Sequence, residues 1–152
     1  MMDFLCQKMT LEEVLCLLNK AENSFTPPLS HNIPYTVEEY AKRLSSNAIF
    51  IICKENDEII GFIAYYVNIE GQFVYITQIW VSDHHQRKGI GSIMLEQLIK
   101  KVPTVVDKVQ LEVRMNNEKA SSFYRKVGFL PIREENNRYL MEKRIRTKNR
   151  DE

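Results

Sequence analysis

The sequence predicts an α/β (α+β) domain in which a mixed sheet of about seven strands is flanked by about four helices. Hydrophobic periodicity alternates between two and 3.6 residues in the order βα, αβββ, αβ, αββ. Three closely spaced strand-like runs require an antiparallel meander, whereas a later strand–helix–strand step requires a crossover and therefore a parallel neighbour. Its 152 residues suffice for one compact domain and are too few for two ordinary ones. Residues 1–152 are therefore read as a single domain, with the charged tail 147–152 frayed.

Residues 2–8 read as a short strand, and Thr10 with Glu13 then forms a capping box. The helix that follows keeps Leu11, Val14, Leu15, Leu18 and Ala21 on one face until Asn23 and the Pro27-Pro28 pair. An irregular loop over 25–35 precedes a second capping box, Thr36 with Glu39, whose helix carries Val37, Tyr40, Ala41 and Leu44. Strand-like runs at 48–54, 59–67 and 73–81 are separated by turn-forming polar residues. A polar, glycine-bearing stretch over 82–91 opens a helix with Ile90, Ile93, Met94, Leu98 and Val102 at helical spacing, and Pro103 lies past its end. Residues 108–114 alternate as a strand, Asn116 or Asn117 caps the next helix, and Gly128 suits the position beyond its last turn. Two strands, 129–133 and 138–144, enclose a polar turn at 134–137.

Composition excludes several classes. With 21 basic and 20 acidic side chains the net charge is +1, so no global field holds the chain on nucleic acid or anionic lipid. The longest apolar run, 48–53, is far short of the roughly 20 residues that cross a bilayer, so no membrane association is expected. An early acid, Asp3, and the lack of a basic leader region point to a cytoplasmic protein. Cys6, Cys16 and Cys53 form neither a CxxC pair nor a Cys/His cluster; they are read as packing residues, and no metal site is expected.

The most informative segment runs from Val81 to Ser92, where a strand end meets a helix start. The first amides of a helix lack internal partners and carry partial positive charge. Gly89 and Gly91 let an anion approach the backbone, and Arg87 and Lys88 add formal charge. An isolated G-x-G also serves as a plain helix entry. A Walker loop is excluded because no glycine begins GxxxxGK[ST], and a dinucleotide fingerprint fails because Met94 stands at its third glycine position.

Gln86-Arg87-Lys88-Gly89-Ile90-Gly91 resembles the [R/Q]-x-x-G-x-[G/A] signature of the GNAT superfamily of N-acetyltransferases. Leu111-Glu112-Val113-Arg114, Asn117, Ala120, Tyr124 and Gly128-Phe129 are similar to that family's fifth strand and fourth helix. The two blocks stand in the family's order, and the element order agrees from residue 2 to about 145. The resemblance implies a GNAT fold in which a bulged fourth strand and the fifth strand splay apart to admit acetyl-CoA. It implies that the backbone of Ile79, Trp80 and Val81 meets the pantetheine arm, that Arg87, Lys88, Gly89, Ile90, Gly91 and Ser92 hold the pyrophosphate, and that Asn117 contacts the cosubstrate near the thioester.

Acetyl transfer to an amine needs a neutral nucleophile, a polarised carbonyl and a proton for the departing thiolate; no metal is required. Tyr124 matches the family's general acid. Glu112 matches an acid that some similar members use as base, directly or through water; the alternative is a structural strand glutamate holding Arg114. Gln78 lies near where other relatives carry a carboxylate, and an amide is no base. His84 and His85 are read as surface residues, and Cys53 as packing, which favours direct transfer in a ternary complex over an acyl-cysteine.

The expected enzyme is thus an acetyl-CoA-dependent N-acyltransferase acting on a primary amine, with a small molecule such as an amino sugar ahead of a peptide acceptor. The proline-bearing loop 25–35, with Tyr65, Tyr66 and Tyr75, is the candidate acceptor wall. A protein N-terminal or lysine acetyltransferase is the alternative, because the LEVR-to-Tyr block resembles that of ribosomal-protein N-terminal acetyltransferases. A non-catalytic acyl-CoA sensor is the alternative of another class, and the presence of Tyr124 weighs against it. Many relatives dimerise, but no heptad or exposed strand in the sequence marks a homodimer interface.

Overall fold

The computed structural model describes residues 2–22, 33 and 36–146. In chain order these form β1 (Met2–Gln7), α1 (Leu11–Ala21), α2 (Val37–Asn47), β2 (Ile49–Glu55), β3 (Glu58–Asn68), β4 (Phe73–Val81), α3 (Ile90–Lys101), β5 (Lys108–Arg114), α4 (Glu118–Lys126), β6 (Leu130–Glu135) and β7 (Arg138–Arg144), with one turn of 3-10 helix at Asp83–His85. The strands hydrogen-bond in the order β1-β2-β3-β4-β5-β7-β6. The predicted element order and mixed sheet are both present. The chain divides into two compact units, one holding residues up to Tyr65 with Gln78–Lys101, the other Tyr66–Thr77 with the chain from Val102 onward.

In the first unit both capping boxes form: Thr10 and Thr36 accept from the amides of Glu13 and Glu39, whose carboxylates accept from the cap amides in return. The core consists of Phe50, Ile51, Ile52 and Cys53 of β2 and Phe62, Ile63 and Ala64 of β3, with Leu18, Leu44, Ile90, Met94 and Leu98 from the helices. Four consecutive buried residues in β2 mean that both of its faces are covered, which is why this stretch reads as a continuous apolar run instead of an alternation. The buried face of α1 is Val14, Leu17, Leu18 and Ala21. Leu11, expected in the core, is exposed, because the stripe is centred on Leu17 and Leu18 and turns the first residue outward. Ile93 of α3 is likewise exposed, and Leu95 takes the core place expected of it.

The β2–β3 hairpin turns through Asn56 and Asp57, both at positive φ, the pairing of conformations that matches strand twist in a two-residue turn. Next to it the register shifts so that Cys53 faces Gly61 and Lys54 faces Ile59, leaving Ile60 bulged. The bulged Ile60 carbonyl accepts the Ser82 amide at 2.8 Å, anchoring the end of β4. Gly61 has no room for a side chain: a Cβ would stand 3.1 Å from the Trp80 carbonyl oxygen.

In the second unit β5 alternates cleanly, with Val109, Leu111 and Val113 buried and Gln110, Glu112 and Arg114 on the other face. β4 pairs with β5 in parallel from Phe73 to Tyr75, the crossover expected of the strand–helix–strand step. The last turn is tighter than predicted: Glu134 and Glu135 belong to β6, and Asn136 and Asn137, both at positive φ, make the connection alone. Leu130 and Ile132 remain exposed on β6, which lies at the end of the strand order. The proline-bearing loop 25–35, apart from Ile33, and the tail 147–152 lie outside the described residues. Cys53 is a packing residue as expected, whereas Cys6 and Cys16 are exposed on β1 and on the outer face of α1.

Candidate active site

In the first unit, the segment from Ile79 to Ser92 is shaped by contacts within itself. Trp80 is buried against the Phe62 ring at 5.9 Å, while its neighbours Ile79 and Val81 are only half-buried. The Ser82 carbonyl accepts the His85 amide and closes the 3-10 turn. Gln86, the first residue of the Q-x-x-G-x-G pattern, donates from Nε2 to the Val81 carbonyl at 3.1 Å and so folds the loop back on the strand end. Arg87 and Gly89 have φ of +69° and +78°, a region disfavoured for a residue with a Cβ, so Arg87 is held there by its surroundings.

The Gly89 carbonyl accepts the Ile93 amide, so α3 starts at this point, and Ile90 plugs its first turn into the core. A Cβ on Gly89 would meet no atom within 4 Å. Arg87, Lys88 and Gly89 are all exposed, and Gly91 and Ser92 follow in the first helical turn. An open glycine, two solvent-facing cations and the amide end of a twelve-residue helix suit a pyrophosphate.

The two histidines differ. His84 is exposed, as expected, but His85 is half-buried and lies 2.8 Å from Glu55 through Nε2, pinning the loop to β2. Its Nδ1 and the Trp80 Nε1 are buried without a hydrogen-bond partner. Cys53 is fully buried, and burial, with the Glu55 and Asp3 carboxylates nearby, pushes its thiol above the usual range. It is held as the weakly nucleophilic thiol.

In the second unit, Asn117 resolves the alternative left by the sequence: it is the N-cap of α4, accepting the Ala120 amide on Oδ1 at 3.2 Å. The helix ends in a Schellman motif, with the Phe129 amide on the Tyr124 carbonyl, the Gly128 amide on that of Arg125, and Gly128 at φ +105°. Phe129 therefore belongs to the helix end and not to the next strand. Tyr124 is buried between Phe123 and Phe129, with ring centroids 5.5 and 5.8 Å away. Burial raises its phenol well above the ordinary value, so it keeps its proton at neutral pH.

Glu112 lies on the opposite side of β5 from Leu111 and Val113 and lines a groove of about 660 Å³ with Tyr66, Tyr75, Gln110, Arg133 and Leu140. Tyr66 and Tyr75 are among the tyrosines expected to line an acceptor site; Tyr65 is instead buried, its hydroxyl 3.5 Å from the Cys6 sulfur. Tyr124 is not among the groove residues. Gln110 donates to Glu142 at 2.8 Å. Arg133 and Leu140 were missed by the sequence reading: pairing through β7 places Leu140 opposite both Glu112 and Arg133, but the latter depends on a register shift between Pro131 and Arg133 that no sequence pattern announces. Among the described residues, no three His, Cys, Asp or Glu side chains are grouped to hold a metal ion.

The first unit thus carries an exposed glycine loop at the start of α3, and the second a buried phenol on α4. The acetyltransferase (GNAT) family model matches residues 15–129, and the chain belongs to that family. It is an acetyl-CoA-dependent N-acetyltransferase, with acetyl-CoA as cosubstrate. It is 28% identical over 120 residues to an N-alpha-acetyltransferase of Sulfurisphaera tokodaii, spanning 69% of this chain and 70% of that one. The fold is similar to that of the PaiA N-acetyltransferase of Thermoplasma acidophilum crystallised with coenzyme A (TM-score 0.70, 20% identity, 94% of this chain and 99% of that one). It is also similar to the ribosomal-protein-S18-alanine N-acetyltransferase of Escherichia coli (TM-score 0.73, 18% identity, 98% of each chain).

Proposed function

We propose that residues 1–152 act as one acetyltransferase module that moves the acetyl group of acetyl-CoA to the α-amine of a peptide or protein N terminus. The observation that carries this reading is the position of Glu112 in a groove lined by tyrosines, aliphatic side chains and charges of both signs. Such a surface suits a chain with varied side chains better than a compact polyol amine such as an amino sugar, which needs a ring of hydrogen-bonding groups. The kinship with an N-alpha-acetyltransferase supports the same acceptor class.

In this proposal the backbone of Ile79, Trp80 and Val81 meets the pantetheine arm. The Val81 carbonyl itself is engaged by Gln86. Arg87, Lys88, Gly89, Ile90, Gly91 and Ser92 hold the pyrophosphate through backbone amides and two cations. Asn117 serves twice: its Oδ1 caps α4, and its Nδ2 remains a donor toward the cosubstrate.

The neutral amine attacks the thioester carbonyl, so that a C–N bond forms and the C–S bond breaks. Glu112 takes the amine proton, directly or through water, and later releases it to solvent; Tyr124 donates a hydrogen bond to the departing sulfur and keeps its proton, so the products are an amide and free coenzyme A. A phenol whose proton is tightly held stabilises that sulfur mainly as a hydrogen-bond donor. The buried Cys53 thiol plays no part, in keeping with direct transfer in a ternary complex.

The test is an acceptor panel of free-amine peptides, N-terminally blocked peptides containing lysine, and amino sugars, each incubated with the full chain and acetyl-CoA and read by mass spectrometry. Gain of one acetyl group on the free α-amine alone is expected. Acetylation of the sugars but not the peptides would return the acceptor to the small-molecule class. Binding of acetyl-CoA without amine-dependent release of coenzyme A would make the protein a sensor.

A further inference from the structure

The groove in the second unit contains a row of three side chains that no step of acetyl transfer requires as a set. β5, β7 and β6 are neighbours, and their register sets Glu112 opposite Leu140 and Leu140 opposite Arg133. All three line the same groove, so one cross-strand line runs from a carboxylate over an aliphatic side chain to a guanidinium. Two strand spacings separate the α-carbons of Glu112 and Arg133 by about 10 Å. Glu70 and Glu112 are acidic, and among the described residues Arg133 is the only cation that lines the groove. Its ion pair with Glu135 is long at 3.8 Å and solvent-exposed, so little energy is lost in exchanging it for another carboxylate.

We propose that the Glu112–Leu140–Arg133 row selects acceptors with an acidic side chain at the second or third residue. This rests on the peptide reading above. With the α-amine at Glu112, the third α-carbon of an extended peptide lies about 7 Å from the first. An Asp or Glu side chain at the second or third position covers the remaining distance to the guanidinium, and Leu140 floors the path between them. A free amino acid carries its amine and carboxylate too close together to span the row. The bulge at Ile132 is what brings Arg133 into line with Leu140, so the charge is placed by a deformation of β6.

The experiment uses the full chain, acetyl-CoA and three matched peptides with the same free alanine amine, carrying Asp, Ala or Lys at residue two, then a second series at residue three. The expected order of kcat/KM in at least one series is Asp over Ala over Lys, by about threefold to fivefold per step, as an exposed ion pair supplies. The spread should shrink near 1 M salt, where the screening length falls to about 3 Å. Arg133→Lys should keep the order, Arg133→Gln should flatten it and Arg133→Glu should reverse it. Equal rates in both wild-type series, or an order unchanged in a folded Arg133→Gln protein, overturns the proposal while leaving the peptide reading intact. Acetylation of none of the peptides overturns both.

Discussion

Tyr124 places a hydroxyl among aromatic rings, and its environment decides what that hydroxyl can do. Phe123 and Phe129 remove water from the ring, burial penalises the phenolate, and the proton stays on oxygen well beyond neutral pH. A group so placed is suited to donate to a departing thiolate and not to act as a base; in the proposed mechanism proton removal falls to Glu112, directly or through water. Tyr124→Phe should therefore lower kcat by about 10²-fold or more, the range of positioned acid catalysis, with little change in the KM for acetyl-CoA. Stability should change by no more than about 1 kcal/mol, because the ring is retained. An unchanged kcat in steady-state assays would leave the tyrosine with a packing role only. At this scale the sequence was informative where a side chain is tied to a local pattern, as for Tyr124, Asn117, Gly89 and Gly128. It was silent where position depends on a distant register: Arg133 enters the groove only through the shift in β6, and Tyr65 is buried whereas its neighbour Tyr66 reaches the groove.

Among the elements, α4 shows most directly how local chemistry sets a site. Asn117 closes its first turn, the Schellman motif closes its last, and the Tyr124–Phe129 ring contact is the apolar clasp that accompanies such an ending. Between two fixed ends a nine-residue helix has little freedom to shift its tyrosine. Asn117→Ala should remove the cap at a cost of about 1 kcal/mol, which for a chain of this length lowers the melting temperature by roughly 2–4 °C. Asn117→Ser keeps a capping oxygen and should restore the melting temperature. If the amide also meets acetyl-CoA, the serine variant will still show a raised KM for the cosubstrate, whereas a purely structural Asn117 would leave that KM at the wild-type value. Both capping boxes were legible, and the α4 cap was narrowed to Asn116 or Asn117, because each is a local pattern of four residues. The phase of α1 was not, since Leu11, Leu15, Leu17 and Leu18 allow two overlapping stripes and only packing decides between them. The strand β6 was legible, but its extension through Glu135 and the bulge between Pro131 and Arg133 were not.

Across the whole molecule the near balance of charge, +1 in total, conceals how unevenly ionisable groups are buried. Exposed cations gather at the loop before α3, whereas three groups that are neutral at physiological pH, Cys53, Tyr65 and Tyr124, lie in the core. All three have their folded-state pKa raised above the unfolded value, Cys53 from 9.0 and the tyrosines from 10.0, with burial the largest cause in each case. Well below pH 9 these groups are protonated whether the chain is folded or not, and they leave stability independent of pH. Above the ordinary values the unfolded chain loses protons that the folded chain retains, so stability falls as pH rises, by up to about 1.4 kcal/mol per pH unit for each group. The two tyrosines together should remove about 2–3 kcal/mol per unit above pH 10, a steep loss against a typical total of about 5–15 kcal/mol. Urea unfolding followed by circular dichroism from pH 8 to 11.5 should show a plateau, then a decline beginning near pH 9 and steepening above 10. Tyr65→Phe removes one titrating group and should shallow the steep limb by up to about 1.4 kcal/mol per pH unit. A slope identical to that of the parent protein would mean that the Tyr65 hydroxyl ionises as readily in the fold as out of it, contrary to its burial beside Cys6.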